Sequence, residues 1–180
     1  MNWREYVKEV TPYVPGEQPK INNLIKLNTN ENPYPPSKMA KEALLKMAED
    51  YDCLRRYPKP DCDALRDAIS EYMNISPDKI FTGVGSDDVI FILFTTFFHS
   101  KDPVLFADIT YSFYEVWADF CGFKKELIPV KDDMSIDIND YRKENGGIVI
   151  ANPNAPTGEL LPLSKIEEVL EFNKDSVVIV

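Results

Sequence analysis

Four short apolar runs constrain this chain more than any other feature: VLFA at 104–107, ELIPV at 126–130, IVIA at 148–151 and VVIV at 177–180. Little in them alternates apolar with polar, as a strand with one wet face would, so they read as strands buried on both sides. Segments with helical spacing separate them, from about Ser112 to Phe120 and from Ser164 to Asn173. A further short strand, Ile80 to Gly83, leads into an apolar helix before the first run. Strands interleaved with helices pair in parallel through crossovers, which predicts an open α/β sheet. On such sheets ligands bind beyond the carboxyl ends of the strands, so the loops at those ends are where chemistry is to be sought.

The first 80 residues are organised differently. The opening ten mix charged and apolar residues at helical spacing and predict a short amphipathic helix. TPYVPGEQPKINN, broken by prolines and a glycine, predicts an extended arm. LIKL at 24–27 carries a brief strand signal, followed by the polar, proline-rich loop NTNENPYPPS. Two surface helices are expected from Ser37 to Asp50 and from Asp63 to Asn74, the second with Asp63 as its N-cap. The predicted division is a 1–36 helix and arm, and a 37–180 part of a larger domain.

A net charge of −10 with no lysine- or arginine-rich face argues against a nucleic-acid backbone or an anionic membrane as partner. The longest apolar run, Val89 to Phe98, is too short to span a bilayer, and the N-terminus lacks the form of a signal or transit peptide. A cytoplasmic location is the expectation. Cys53, Cys62 and Cys121 form no C-x-x-C pair, and the single histidine, His99, has no histidine companion, so no metal site is expected.

Two loops at strand ends carry unusual residues. GVGSDD at 83–88 places two glycines, a serine and two acids before an apolar helix. A helix start has unpaired N–H groups and about half a positive charge, so such a lead-in can hold a phosphate, although Ser86 and Asp87 could equally be capping the helix. The loop ANPNAPTGEL at 151–160 sets prolines around asparagines, which fits a rigid turn aimed at a ligand and also fits a turn alone.

In order along the chain, TPYVPGEQ, IKLNTNENPYPPS, LRRYP, GVGSDDVI, TYSFY and ANPNAPTG make the sequence resemble the histidinol-phosphate aminotransferase branch of the fold-type-I, pyridoxal-phosphate-dependent aminotransferases. The resemblance implies pyridoxal 5'-phosphate as cofactor, its phosphate held at the helix entrance by Gly85, Ser86 and Asp87. It implies Tyr111 against the pyridine ring, with Tyr13, Asn30, Glu31, Asn32 and Tyr57 around a phosphorylated substrate. Tyr57 would reach across a homodimer interface, and Arg55 and Arg56 are nearby cations that could meet an anion. Glutamate is the implied amino donor, in histidine biosynthesis. A threonine-phosphate decarboxylase or an aromatic aminotransferase would share almost all of these motifs. A noncatalytic α/β nucleotide-binding module stays open as another class, although Asp88 stands where a dinucleotide fingerprint has its third glycine.

The sequence departs from that pattern in places. The family's asparagine for the cofactor's ring oxygen stands immediately before PTG, where this chain has Ala155, so the resemblance implies that this bond comes from Asn154, the expected cofactor contact, from Asn152, or is absent. Ile109 replaces the proline before TY. Family members are about twice as long, and no lysine in 1–180 sits in a motif like that of the cofactor-bearing lysine. The expectation is therefore an N-terminal half, truncated before its C-terminal half, that is catalytically silent and prone to aggregate on its own.

Overall fold

The computed structural model describes residues 5, 7–9, 11, 13–14, 16–99 and 102–180. The helix expected over the first ten residues falls largely outside them. Two compact units are formed, one by residues 1–13 with 83–180 and the other by residues 14–82.

In the first unit, β1 (Val104–Ala107), β2 (Lys125–Ile128), β3 (Gly147–Val149) and β4 (Val178–Ile179) form an open sheet in the order β2-β1-β3-β4. Every pairing is parallel, with Val104 opposite Lys125, Leu105 opposite Ile148, and Ile148 opposite Val178. Helices α4 (Ser86–Phe97), α5 (Phe113–Cys121) and α6 (Leu163–Phe172) flank it. β1 and β3 are buried along their whole length, as their unalternating sequences predict.

The period-2 geometry of β1 and β3 divides the core in two. Val104, Phe106 and Val149 pack with Phe94, Phe98, Tyr114 and Ala118. Leu105, Ile148 and Ile150 pack with Ile128, Ile138, Tyr141 and Val169. Helix α4 is less buried than its composition suggests. Phe94 is its one fully buried residue and Phe97 is half exposed, while Phe91 meets the Trp117 ring of α5 at 4.8 Å.

The second unit carries α1 (Lys38–Glu49), α2 (Tyr51–Leu54) and α3 (Asp63–Met73). Ser37 caps α1 through its hydroxyl, which accepts from the Ala40 N–H at 3.2 Å. Asp63 is not the cap of α3 but its first residue; Cys62, with φ of 48°, takes the cap position. The strands expected at 24–27 and 80–83 do not form. Leu24, Ile25, Leu27 and Phe81 are exposed, and a strand needs a ladder partner that neither segment has among the described residues. Among the described residues no helix is long and apolar enough to cross a membrane.

Candidate functional site

Strand order fixes where a ligand could sit. β2 lies on one side of β1 and β3 on the other, so the connections leaving β1 and β3 diverge and open a crevice at their carboxyl ends. The loop after β1 holds Ile109, Thr110 and Tyr111; the loop after β3 holds residues 150–161. These are the loops whose chemistry stands out in the sequence.

Helix α4 brings its N-terminus to the same place. Gly85 is its N-cap with φ of 87°, and a Cβ there would meet nothing within 4 Å, so the backbone is open on that side. No side chain caps the helix conventionally. Instead the Asp88 carboxylate turns back and accepts from the Val84 N–H at 3.2 Å. Asp87 accepts from the Tyr111 hydroxyl at 2.6 Å. Both acids at this positive helix end are thus held by donors, while the first N–H groups of the helix have no acceptor within it and Ser86 is exposed.

Tyr111 is partly buried, and its phenol is pushed well above the ordinary tyrosine range, first by burial and then by the Asp87 carboxylate that its proton serves. The phenol therefore donates at neutral pH. Its ring lies 5.7 Å from the Phe113 ring at 29°, and Phe113 lies 4.6 Å from Tyr13. Tyr13 is accordingly brought into one aromatic series with Tyr111.

Asn154 is buried, and all its side-chain groups are engaged. Nδ2 donates to the Ile109 carbonyl at 2.8 Å and to Thr157 Oγ1 at 3.1 Å, while Oδ1 accepts from Thr110 Oγ1 at 2.8 Å. Asn152 is engaged too, donating to the Leu161 carbonyl at 3.1 Å and accepting from its N–H at 2.8 Å. Asn154 has no donor left for a ring oxygen in this arrangement, whereas Asn152 uses only one of its two amide hydrogens. The sequence reading also overlooked Thr110, Thr157 and Phe113, whose contribution lies in long-range partners that no local motif announces.

The remaining expected residues belong to the second unit. Glu31 pairs with Lys26 at 2.5 Å, a hydrogen bond that holds its carboxyl below the usual range. Asn30 has φ of 50°, and the Asn32 side chain accepts from the Tyr34 N–H at 2.9 Å. Tyr57 is fully exposed. Arg55 and Arg56 both pair with Asp52, at 2.7 and 3.1 Å.

The family model for aminotransferases of class I and II matches residues 22–180. The chain belongs to the aminotransferase class I and II family. Similar class I and II relatives include the histidinol-phosphate aminotransferase of Clostridium acetobutylicum, 54% identical over 99% of this chain and 50% of that protein. The enzyme of the same name from Acinetobacter baumannii strain SDF is 51% identical over the same shares. The chain thus spans about half the length of the curated relatives it matches. Among solved structures, the histidinol-phosphate aminotransferase of Sinorhizobium meliloti, in complex with pyridoxal-5'-phosphate, superposes with a TM-score of 0.74 at 20% identity, over 83% of this chain and 41% of that one. At that identity the likeness concerns the fold: an α/β aminotransferase architecture with a parallel open sheet.

Proposed function

We propose that this chain forms the phosphate-binding half of a pyridoxal-phosphate-dependent histidinol-phosphate aminotransferase. The observation that carries the reading is the hydrogen bond from Tyr111 to Asp87, which sets an aromatic ring beside an open helix N-terminus. Such a seat suits a flat ring bearing a phosphate, and identities of 51–54% to proteins of that name support the choice of substrate. The fit rests on the chain itself: a glycine cap without a Cβ, unpaired N–H groups, and two carboxylates already held by donors.

In this reading the N–H groups of Ser86 and Asp87, with the Ser86 hydroxyl, hold the phosphate. Tyr111 lies against the ring and excludes water from one face by dispersion contact. Tyr13, Asn30, Glu31 and Asn32 line the substrate region, and Tyr57 reaches the phosphate across a homodimer interface. Residues 1–36 serve as an arm contacting a smaller domain and the partner subunit, and 37–180 begin the large domain. When bound, the cofactor supplies an electron sink for moving an amino group, from glutamate to a phosphorylated keto acceptor, in the cytoplasm. The lysine for proton transfer is not assigned to any residue of 1–180, so these residues alone are proposed not to transaminate.

Titration of the intact enzyme, freed of cofactor, with pyridoxal phosphate, followed by tryptophan fluorescence, tests the seat. Saturable quenching that Ser86→Ala weakens about tenfold, by loss of a hydrogen bond to a charged group, is the expected result. A response to a nucleoside triphosphate and none to pyridoxal phosphate would overturn it in favour of a nucleotide-binding module. With the intact enzyme, amino transfer from histidinol phosphate to 2-oxoglutarate is expected; decarboxylation of phosphothreonine in its place would refute the substrate assignment.

A further inference from the structure

Asn154 is one of two buried polar residues among those described, at 3% exposure. An asparagine side chain offers two donor hydrogens and one carbonyl oxygen, and here each finds a partner. Its backbone is fixed as well: its N–H donates to the Glu159 carbonyl at 2.8 Å, and its carbonyl accepts from the Gly158 N–H at 2.7 Å. The residue is anchored in its own turn and reaches across the crevice to the loop after β1.

What it grips there is the pair of residues preceding Tyr111. The Ile109 carbonyl and the Thr110 hydroxyl both bond to the Asn154 amide, 45 and 44 positions away in sequence. At the other end of Tyr111, the phenol is tied to Asp87 at 2.6 Å. The tyrosine is held from both ends, its backbone side by Asn154 and its hydroxyl by the start of α4.

We propose that Asn154 is a positioning residue that sets the Tyr111 ring against the N-terminus of α4, acting through Ile109 and Thr110 and not by touching a cofactor itself. The significance of that ring rests on the pyridoxal-phosphate reading above; the positioning does not. Removing the amide leaves a carbonyl and a hydroxyl without their partners, and frees the loop to move. Aspartate at the position would keep the acceptor for Thr110 and turn a carboxylate towards the Ile109 carbonyl, so a conservative exchange would not restore the clamp.

The test is carbon-13 NMR of the intact enzyme labelled at tyrosine Cζ and freed of cofactor, with the Tyr111 resonance assigned as the one lost in Tyr111→Phe. Asn154→Ala is expected to shift or broaden the Tyr111 resonance while leaving that of Tyr141, buried in the other core cluster, in place. A folded Asn154→Ala chain with an unmoved Tyr111 resonance overturns the proposal, whatever happens to pyridoxal-phosphate affinity. Where Asn154→Ala does not fold, Thr110→Val removes one clamp contact alone, and the same two outcomes decide. Fluorescence titration of the unaltered intact enzyme, freed of cofactor, with pyridoxal phosphate runs separately. Failure to bind there removes the cofactor reading and leaves the resonance test standing.

Discussion

Tyr141 is fully buried against the sheet, in the cluster of Leu105, Ile148 and Val169, yet its hydroxyl has no hydrogen-bond partner among the described residues. Burial, with smaller contributions from the Asp140 and Asp108 charges, pushes its phenol well above the ordinary tyrosine value. Two results follow. Tyr141→Phe keeps the ring and removes an unsatisfied polar group, so the folding stability of the intact enzyme should be unchanged or higher by about 1 kcal/mol, measured by denaturant unfolding. The pH dependence has a definite sign. Below about pH 10 the phenol is protonated folded and unfolded alike; above it the unfolded chain releases the proton first, so stability falls with rising pH, by at most about 1.4 kcal/mol per unit. Tyr141→Phe should flatten that alkaline limb, and an unchanged slope would mean that the phenol titrates normally. At this scale the sequence reveals Gly85, Ser86 and Tyr111 as candidates because each sits in a local motif. It cannot reveal that Asn154 is committed to Ile109 and Thr110, since that pairing exists only once β1 and β3 lie side by side.

Helices were legible from their own periodicity, and strands only where the chain supplies a ladder partner. β1 and β3 follow from unalternating apolar runs, and α1, α5 and α6 from their periodicity, with bounds displaced by a residue or two. The strand signals at 24–27 and 80–83 failed because periodicity reports what a strand could bury and not whether a neighbour is available. Two glycines fix element ends in different ways. Gly85 has φ of 87° with open space where a Cβ would stand, so Gly85→Ala should lower stability by about 1–2 kcal/mol through backbone strain alone. Gly147, with φ of 146°, begins β3 with the Phe98 ring pressed on the position of a Cβ. Gly147→Ala adds overpacking to strain and should cost about 3 kcal/mol. Denaturant midpoints of the two variants order these effects, and an equal loss at both sites would refute the part assigned to Phe98.

At the scale of the molecule, the sheet's order explains why the candidate site is where it is: the divergence at β1 and β3 opens a crevice, and α4 points its N-terminus there. The same architecture leaves apolar surface uncovered. Leu127 on β2 and Val177 beside β4 are both exposed at the outer strands of the sheet. In the second unit no described residue is buried, and Met39, Leu44, Leu45 and Met47 of α1 are all more than half exposed. Contiguous apolar surface and open strand edges drive association. A polypeptide of residues 1–180 alone should therefore bind a hydrophobic dye, elute ahead of a 20.6 kDa monomer, and unfold over a broad range. Added salt should worsen the association, because it screens the repulsion of a net charge of −10 that otherwise keeps copies apart. Adding the remainder of the enzyme in trans should suppress dye binding if that surface is where the rest of the fold packs. A monomeric 1–180 chain with one sharp melt and no dye binding would contradict the argument, and would require the exposed residues of α1 to be covered from within.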